Sequence, residues 1–490
     1  MVSTTVPESP PQRNLWISMG SLMLTMFLAA IDQTVVATAM PTIVGELHGL
    51  ANLSWLVTAF ALTAGIATPL YGKLSDMYGR RRLYLSAIVL FLIGSALCGV
   101  AQSMTQLILF RAFQGIGAGG LMVLTMTISA DIATPRERAK FQGIFGAVFG
   151  VASIAGPIIG GYLTEHVSWR WIFYINLPLG AIALAVAFAV LRLPRRTSPH
   201  RVDWLGAALI SGVLTCLTLL ASWAGTSYAW SSPLIIGLGA GAVLLTVLFV
   251  LVERAAAEPV LPLRLFRDRT FTLGAAAVTL LATAMLGAAT FLPLFLQLAT
   301  GATASNSGLL LLPLMIGMIV SSTFVGQFVT RLGTYKWFIV TGTLLAAVAA
   351  ALFSTMDLST STFASSAYMV LFGAGLGMVL QNLLLAVQTT TPAADRGAAT
   401  SAVTFARSIG GAVGVSVLGA VFSGRLGAGQ ASVTPEAIQA LPEAARHATQ
   451  VAFSGAVTGV FAWLVPILLL GAGLLVALKN VRLIQHASQS

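Results

Sequence analysis

Asp32 lies in an otherwise apolar run, residues 15–40, and Arg111 lies in another, residues 105–130. A charge inside such a run is costly and is by default a functional candidate. Burial disfavours an ionised carboxylate and a nearby cation favours it, so Asp32 could hold either a proton or a cationic ligand and exchange one for the other. The plain alternative is a structural ion pair. Arg111 sits at a depth compatible with Asp32 and could pair with it, or merely lock two helices together. Gln114, one turn further on, could add a polar contact to the same face. Arg407, beside Gly410, Gly411 and Gly414, needs a partner, yet no acid lies within reach on its own segment, which leaves a structural or a gating role. Gln297, Gln381 and Asn382, with Met26 for apolar surface, could line a cavity for a small molecule. Asp76, Arg80 and Arg81, framed by Gly72 and Gly79, close another apolar run. An acid placed there can accept hydrogen bonds from a facing helix N-terminus. The alternative is a simple charge anchor.

Other chemistries are excluded. Cys98 and Cys216 both lie in apolar stretches, so neither a disulfide framework nor a metal-ligand cluster is expected. A phosphate-binding loop needs Lys followed by Ser or Thr. Lys73, Lys140, Lys336 and Lys479 are followed by Leu74, Phe141, Trp337 and Asn480. The chain therefore carries no ATP-driven motor of its own, and no catalytic constellation or cofactor is expected.

The elements that position these residues follow from composition. Charged residues make up 8% and hydrophobic residues 57% of the chain, with a mean hydropathy of +0.90. A soluble chain of 490 residues has too much surface to cover with so few charges. A membrane span needs about 20 mainly apolar residues, and fourteen segments qualify, the first near residues 15–40 and the last near 451–478. Ala37, Thr38 and Ala39 resemble a signal-peptidase site, but the apolar stretch before them is too long, so an uncleaved first helix is expected. The net charge of +11 could suggest nucleic acid, but its placement says otherwise. Most bases fall in alternate connections, in groups such as Lys73 with Arg80, Arg81 and Arg82, or Arg192 with Arg195, Arg196 and Arg201. Only Arg170, Arg425 and Arg446 fall in the others. By the positive-inside rule both termini are cytoplasmic, and no nucleic-acid partner is needed.

An internal repeat divides the chain. The segment from Gly72 to Gly79 recurs as Gly326 to Gly333, and Thr134-Pro135 with Arg138 recurs as Thr391-Pro392 with Arg396. Two anchors at nearly one offset imply two six-helix halves, residues 15–191 and 271–478, separated by an inserted pair at 203–252. Residues 1–14 and 479–490 are then tails, 192–202 and 253–270 linkers, and 424–450 a large outer loop. The expected fold is all-α and membrane-integral, with fourteen spans. Parallel repeats of this kind build alternating-access carriers.

The motifs now resemble a known family. Gly72-x-Leu74-x-Asp76-x-x-Gly79-Arg80-Arg81-Arg82 matches the cytoplasmic loop signature of the major facilitator superfamily. Arg111, Gln114, Gly115 and Gly117 match its fourth-span motif. Gly146 and Gly150, then Gly156, Pro157, Gly160 and Gly161, match the fifth-span motif associated with antiporters. Asp32, Thr34, Val35 and Val36 followed by Pro41 match the first span of fourteen-span members. The chain is thus similar to the drug:proton antiporter-2 family (QacA/EmrB type). The resemblance implies that Asp32 and Arg111 face a central cavity, that Asp32 loads the proton, and that the Asp76 loop holds the cytoplasmic side closed. It implies that the fifth-span glycines seal the halves together. It further implies a monomeric, proton-driven exporter of small amphipathic compounds, cationic or neutral, in an inner membrane, and the excess of Arg over Lys with high Ala and Gly suggests a bacterial source. Away from span ends Asp32 is the sole acid, since Glu165 and Asp357 fall near outer ends, which disfavours divalent cations. A dedicated exporter of an endogenous metabolite remains an alternative. A membrane sensor is disfavoured because neither tail is long enough to carry a signal.

Overall fold

The computed structural model describes residues 12–47, 53–191, 203–224, 228–256, 259, 261–300, 311–392, 395–426 and 442–479, the side chains of a few helical residues excepted. The expected tail 1–14, linker 192–202 and tail 479–490 therefore lie largely outside the described residues. The N-terminal half contains α1 (Gln12–Leu47), α2 (Leu53–Tyr78), α3 (Arg80–Gly99), α4 (Met104–Ile132), α5 (Pro135–His166), α6 (Trp171–Tyr174) and α7 (Asn176–Val190). The inserted pair is α8 (Trp204–Trp223) and α9 (Pro233–Ala255). The C-terminal half contains α10 (Arg269–Thr300), α11 (Leu312–Leu332), α12 (Lys336–Ser354), α13 (Thr362–Thr390), α14 (Arg396–Leu426) and α15 (Glu443–Val476). With α6 and α7 counted as one span, 14 helices among the described residues are long and apolar enough to cross a membrane.

Local chemistry sets the ends of these helices. Thr134 and Glu137 form a capping box, with Pro135 at the first helical position of α5, where its missing N–H costs nothing. Ser103, Asp203, Ser232 and Ser361 each accept a backbone N–H at the start of their helix. Pro178 has no N–H to offer the carbonyl four residues back, and the helix breaks at Ile175 between α6 and α7. The repeat read from the sequence recurs in the backbone. Gly79 (φ 93°) turns α2 into α3, and Gly333 (φ 68°) turns α11 into α12 at the corresponding place in the other half. Side chains with a Cβ rarely adopt either conformation.

Each half packs as a bundle, with α2 and α3 on α4 and α1 on α5 in the first, and α11 and α12 on α13, α10 on α14 and α15 on α10 and α12 in the second. The outer surface is apolar, with Phe363 85%, Trp204 70% and Phe188 66% exposed, as suits lipid rather than water. Two seams join the halves, α5 against α11 and α2 against α14. The helices α8 and α9 pack on each other, and α8 also lies against both α2 and α14. The last two spans are longer than expected. α14 runs to Leu426 and α15 begins at Glu443, so residues 443–450 of the expected outer loop are helix continuous with the final span.

Candidate functional site

The carboxylate of Asp32 is fully enclosed within the N-terminal half, at 0% side-chain exposure, with Arg111 at 2%. Arg111 Nη1 donates to Asp32 Oδ2 and, at 2.9 Å, to Gln114 Oε1. Gln114 Nε2 and Asn176 Nδ2 each donate to Asp32 Oδ1 at 2.9 Å. Asn176 also donates to Ser95 Oγ at 3.0 Å, and Ser95 donates to the Phe173 carbonyl at 2.8 Å. The guanidinium lies 4.0 Å from the centroid of the Phe60 ring, a cation–π contact supplied by α2. Five helices thus converge on one acid: α1 carries it, α4 supplies Arg111 and Gln114, α3 supplies Ser95, α7 supplies Asn176 and α2 supplies Phe60.

The expected pairing of Asp32 with Arg111 and Gln114 is what the structure contains; the expected exposure to a central cavity is not. α1 turns Asp32 into its own bundle because three side-chain donors wait there, and an unmatched acid elsewhere would be far costlier. Nor does the structure bring the other expected cavity residues to Asp32. Met26 is buried in the main apolar core. Gln381 is half-buried on α13 near Gly146, and Asn382 is buried and donates to the Met378 carbonyl of its own helix at 2.9 Å. The Gln297 side chain lies outside the described residues.

Asn176 was not singled out from the sequence, although an amide inside an apolar span is a readable signal. Removing it takes one hydrogen bond from a buried carboxylate. Asn176→Leu is expected to destabilise the N-terminal half by about 1.5–3 kcal/mol, seen as a lower thermal midpoint of the purified protein. An unchanged midpoint would mean that Asp32 does not rely on it.

A second charged cluster lies where α2 crosses α14. Arg80 donates to Asp76 Oδ1 at 2.8 Å and also pairs with Asp131 at the end of α4. Asp76 accepts the backbone N–H of Ala398 in the first turn of α14, the arrangement expected of an acid facing a helix N-terminus. Arg396 approaches Asp131 at 3.7 Å, and Arg264 pairs with Asp395 at 2.8 Å. Gly72 abuts Ser401 and the Gly397 carbonyl, so the two backbones nearly touch. Burial, with Arg396 and Arg80 nearby, pulls the Arg138 guanidinium down to about 9. Arg81 takes no part in this crossing; it donates to the Phe188 carbonyl at 2.6 Å and stacks on its ring, which anchors α3 to α7. Arg407 is also remote from it, about 15 Å further along α14 at 1.5 Å per residue.

The fifth-span glycines divide between two neighbours. Gly146 and Gly150 abut Ser322 and Ile319 of α11 across the seam, and Gly143, not singled out in advance, sits against the Ser322 carbonyl. Gly156 abuts Thr34 of α1 within its own half, and a side chain at Gly161 would meet nothing. Gly160 is buried, and the Pro157 side chain lies outside the described residues. At the opposite end of the bundle Glu46, also unforeseen, accepts hydrogen bonds from Trp169 Nε1 at 2.7 Å and from Arg170. The Arg170 guanidinium holds the Glu46 carboxyl below its ordinary range.

Fourteen helices among the described residues, long and apolar enough to span a bilayer and arranged as two halves that meet along two seams, define a polytopic membrane protein as the class. The chain belongs to the Major Facilitator Superfamily, whose family model matches residues 22–415. It is 44% identical over 407 residues to the multidrug transporter protein MdtP of Bacillus subtilis (strain 168), covering 83% of this chain and 75% of that one. It is 37% identical over 403 residues to multidrug resistance protein 3 of the same organism, covering 82% and 78%. Among solved structures, the human organic anion transporter TETRAN superposes with a TM-score of 0.67 at 16% identity, covering 95% of this chain and 100% of that one. The proton:xylose symporter XylE superposes with a TM-score of 0.65 at 14% identity, covering 96% and 97%. At such identities the structural likeness speaks to the fold alone.

Proposed function

We propose that this protein is a secondary exporter of small amphipathic compounds, driven by inward proton flow across a bacterial cytoplasmic membrane, with both termini inside. Bacterial relatives named as multidrug transporters support the cargo class. The observation that carries the coupling is the enclosed Asp32 carboxylate held by Arg111, Gln114 and Asn176. Protonation removes the negative charge that organises these donors. Arg111 then loses its partner, and the hold between α1 and α4 loosens. Because Asp32 is sealed inside its half, proton and cargo compete through movement of helices rather than over one shared contact. The Asp76 cluster and the α2–α14 crossing close the cytoplasmic side while the proton loads, and opening that crossing releases it inward. The protein works as a monomer in the lipid bilayer, needs no cofactor or nucleic acid, and performs no enzymatic step.

Purified protein in proteoliposomes, under an imposed pH gradient, tests this with ethidium and a lumenal pH probe. Dye movement with proton flux is expected in the wild type, and both are expected to vanish in Asp32→Asn. Movement that survives in the variant places coupling elsewhere. A wild type that moves neither dye nor protons overturns the reading.

A further inference from the structure

The exporter reading leaves one intramembrane charge unused. Arg407 stands 11 residues beyond Arg396, the first residue of α14, or about 16 Å along the helix and near the middle of a hydrocarbon layer roughly 30 Å thick. Among the described residues its guanidinium has no hydrogen bond, ion pair or ring contact, although it carries five N–H donors. Asp32 cannot serve it, because both of its oxygens are taken in the other half.

The helical phase of α14 shows where Arg407 points. Residues seven apart share a stripe, so Arg407 lies between Thr400 and Gly414. Thr400 is 0% exposed and accepts from Gln388 of α13 at 3.1 Å. Gly414 is buried against Thr283 of α10. The lipid side of the helix is marked instead by Val417, 54% exposed and on a different stripe. Arg407 nevertheless keeps part of its surface accessible between those two buried neighbours. Its exposure therefore opens into the interior of the bundle rather than into lipid. A membrane-embedded cation that faces an interior space marks a ligand path. A lipid phosphate lies at the membrane surface and would not reach this depth.

We propose that Arg407 recognises an anionic group, a carboxylate above all, on the amphiphiles this protein carries. The inference rests on the exporter reading for the word carry, and it extends the cargo from cationic, neutral or zwitterionic compounds to those that bear a carboxylate held by the protein. A carboxylate meets the planar guanidinium with two parallel hydrogen bonds. Lys would supply the charge without that fork.

Rhodamine B, which bears a free carboxylate, and its ethyl ester, in which that carboxylate is capped as a neutral group, separate the possibilities. Binding to purified wild type, Arg407→Gln and Arg407→Lys is followed by fluorescence polarisation, and transport of both dyes is followed in proteoliposomes. Arg407→Gln is expected to weaken binding of the acid at least about tenfold while the ester changes less than about twofold, and Arg407→Lys is expected to fall between. Equal losses for acid and ester would assign Arg407 to packing or gating and overturn the proposal. So would an acid whose affinity ignores the substitution, or a wild type that binds the ester and not the acid. If the wild type moves the ester but does not bind the acid, the anion site falls and the exporter stands. If it binds the acid through Arg407 but moves neither dye, the exporter reading falls and the site stands on binding alone.

Discussion

Asp32→Asn and Arg111→Gln will each lower the thermal midpoint more than the two substitutions together, while all three proteins lose proton-driven dye movement. Each single change leaves one charge sealed in the bundle, with side-chain exposures of 2% for Arg111 and 0% for Asp32. Breaking a buried pair from one side costs roughly 3–5 kcal/mol, whereas replacing both members with neutral groups is far cheaper. In Asp32→Asn the new amide N–H₂ also has to face the donors Gln114 Nε2 and Asn176 Nδ2 unless it flips its oxygen toward them. The double variant removes both charges and lets amides pair with amides. Scanning fluorimetry on the four proteins gives the coupling directly as a double-mutant cycle. A double variant as unstable as the sum of the singles would show that the two charges do not depend on each other. One that recovers both stability and transport would remove Asp32 from the proton path.

The second large effect is expected at Gly397. A Cβ there would meet the Asp76 carboxylate oxygens at 2.5 and 2.6 Å and the Gly72 carbonyl at 2.7 Å. None of these is the free end of a flexible chain, since Asp76 is tied to Arg80 and to the first turn of α14. Gly397→Val therefore wedges the crossing of α2 and α14. Overpacking of about 1–3 kcal/mol shifts a two-state population by about 5- to 150-fold. Ser401, 2% exposed in the same crossing, serves as reporter. With Cys216 replaced by Ser, a Ser401→Cys thiol is expected to react with a polar maleimide at least about fivefold faster when Gly397→Val is present. An unchanged rate in a folded protein would mean that this crossing is not the gate.

Much of this arrangement was readable in advance, for identifiable reasons. The spans were legible because a bilayer demands a minimum apolar length. Both halves were legible because the turn after the second span needs a left-handed residue in each, and glycine supplies it at Gly79 and Gly333. The meeting of Arg111 with Asp32 was legible from their matching depth together with the family resemblance. Orientation about the helix axis was not. α1 is apolar nearly all the way round, so no hydrophobic face told which way Asp32 turns. Asn176 escaped because its reach depends on the break at Ile175. Among the fifth-span glycines, spacing announced close approach but not the neighbour, and so Gly156, which meets Thr34 of its own half, was grouped with those that meet the other half. Glu46 escaped because its partners, Trp169 and Arg170, come from a distant connection.

A molecule dissolved in lipid can reach the interior of such a bundle sideways, wherever two helices of opposite halves part. One of the two flanks is guarded here. α8 lies against both α2 and α14, with Leu214 over Gly65, Ser222 hydrogen-bonded to Thr58 at 3.0 Å, and the rings of Trp55 and Trp223 edge to face at 5.7 Å. The inserted pair thus acts as a doorstop, and a greasy compound arriving on that flank finds tryptophan and leucine already in the doorway. A sideways approach would be left with the opposite flank, between α5 and α11, where Gly143, Gly146 and Gly150 keep the helices close. Any sideways approach would in that sense be one-handed, a property of where two additional helices came to rest rather than of any residue that binds cargo.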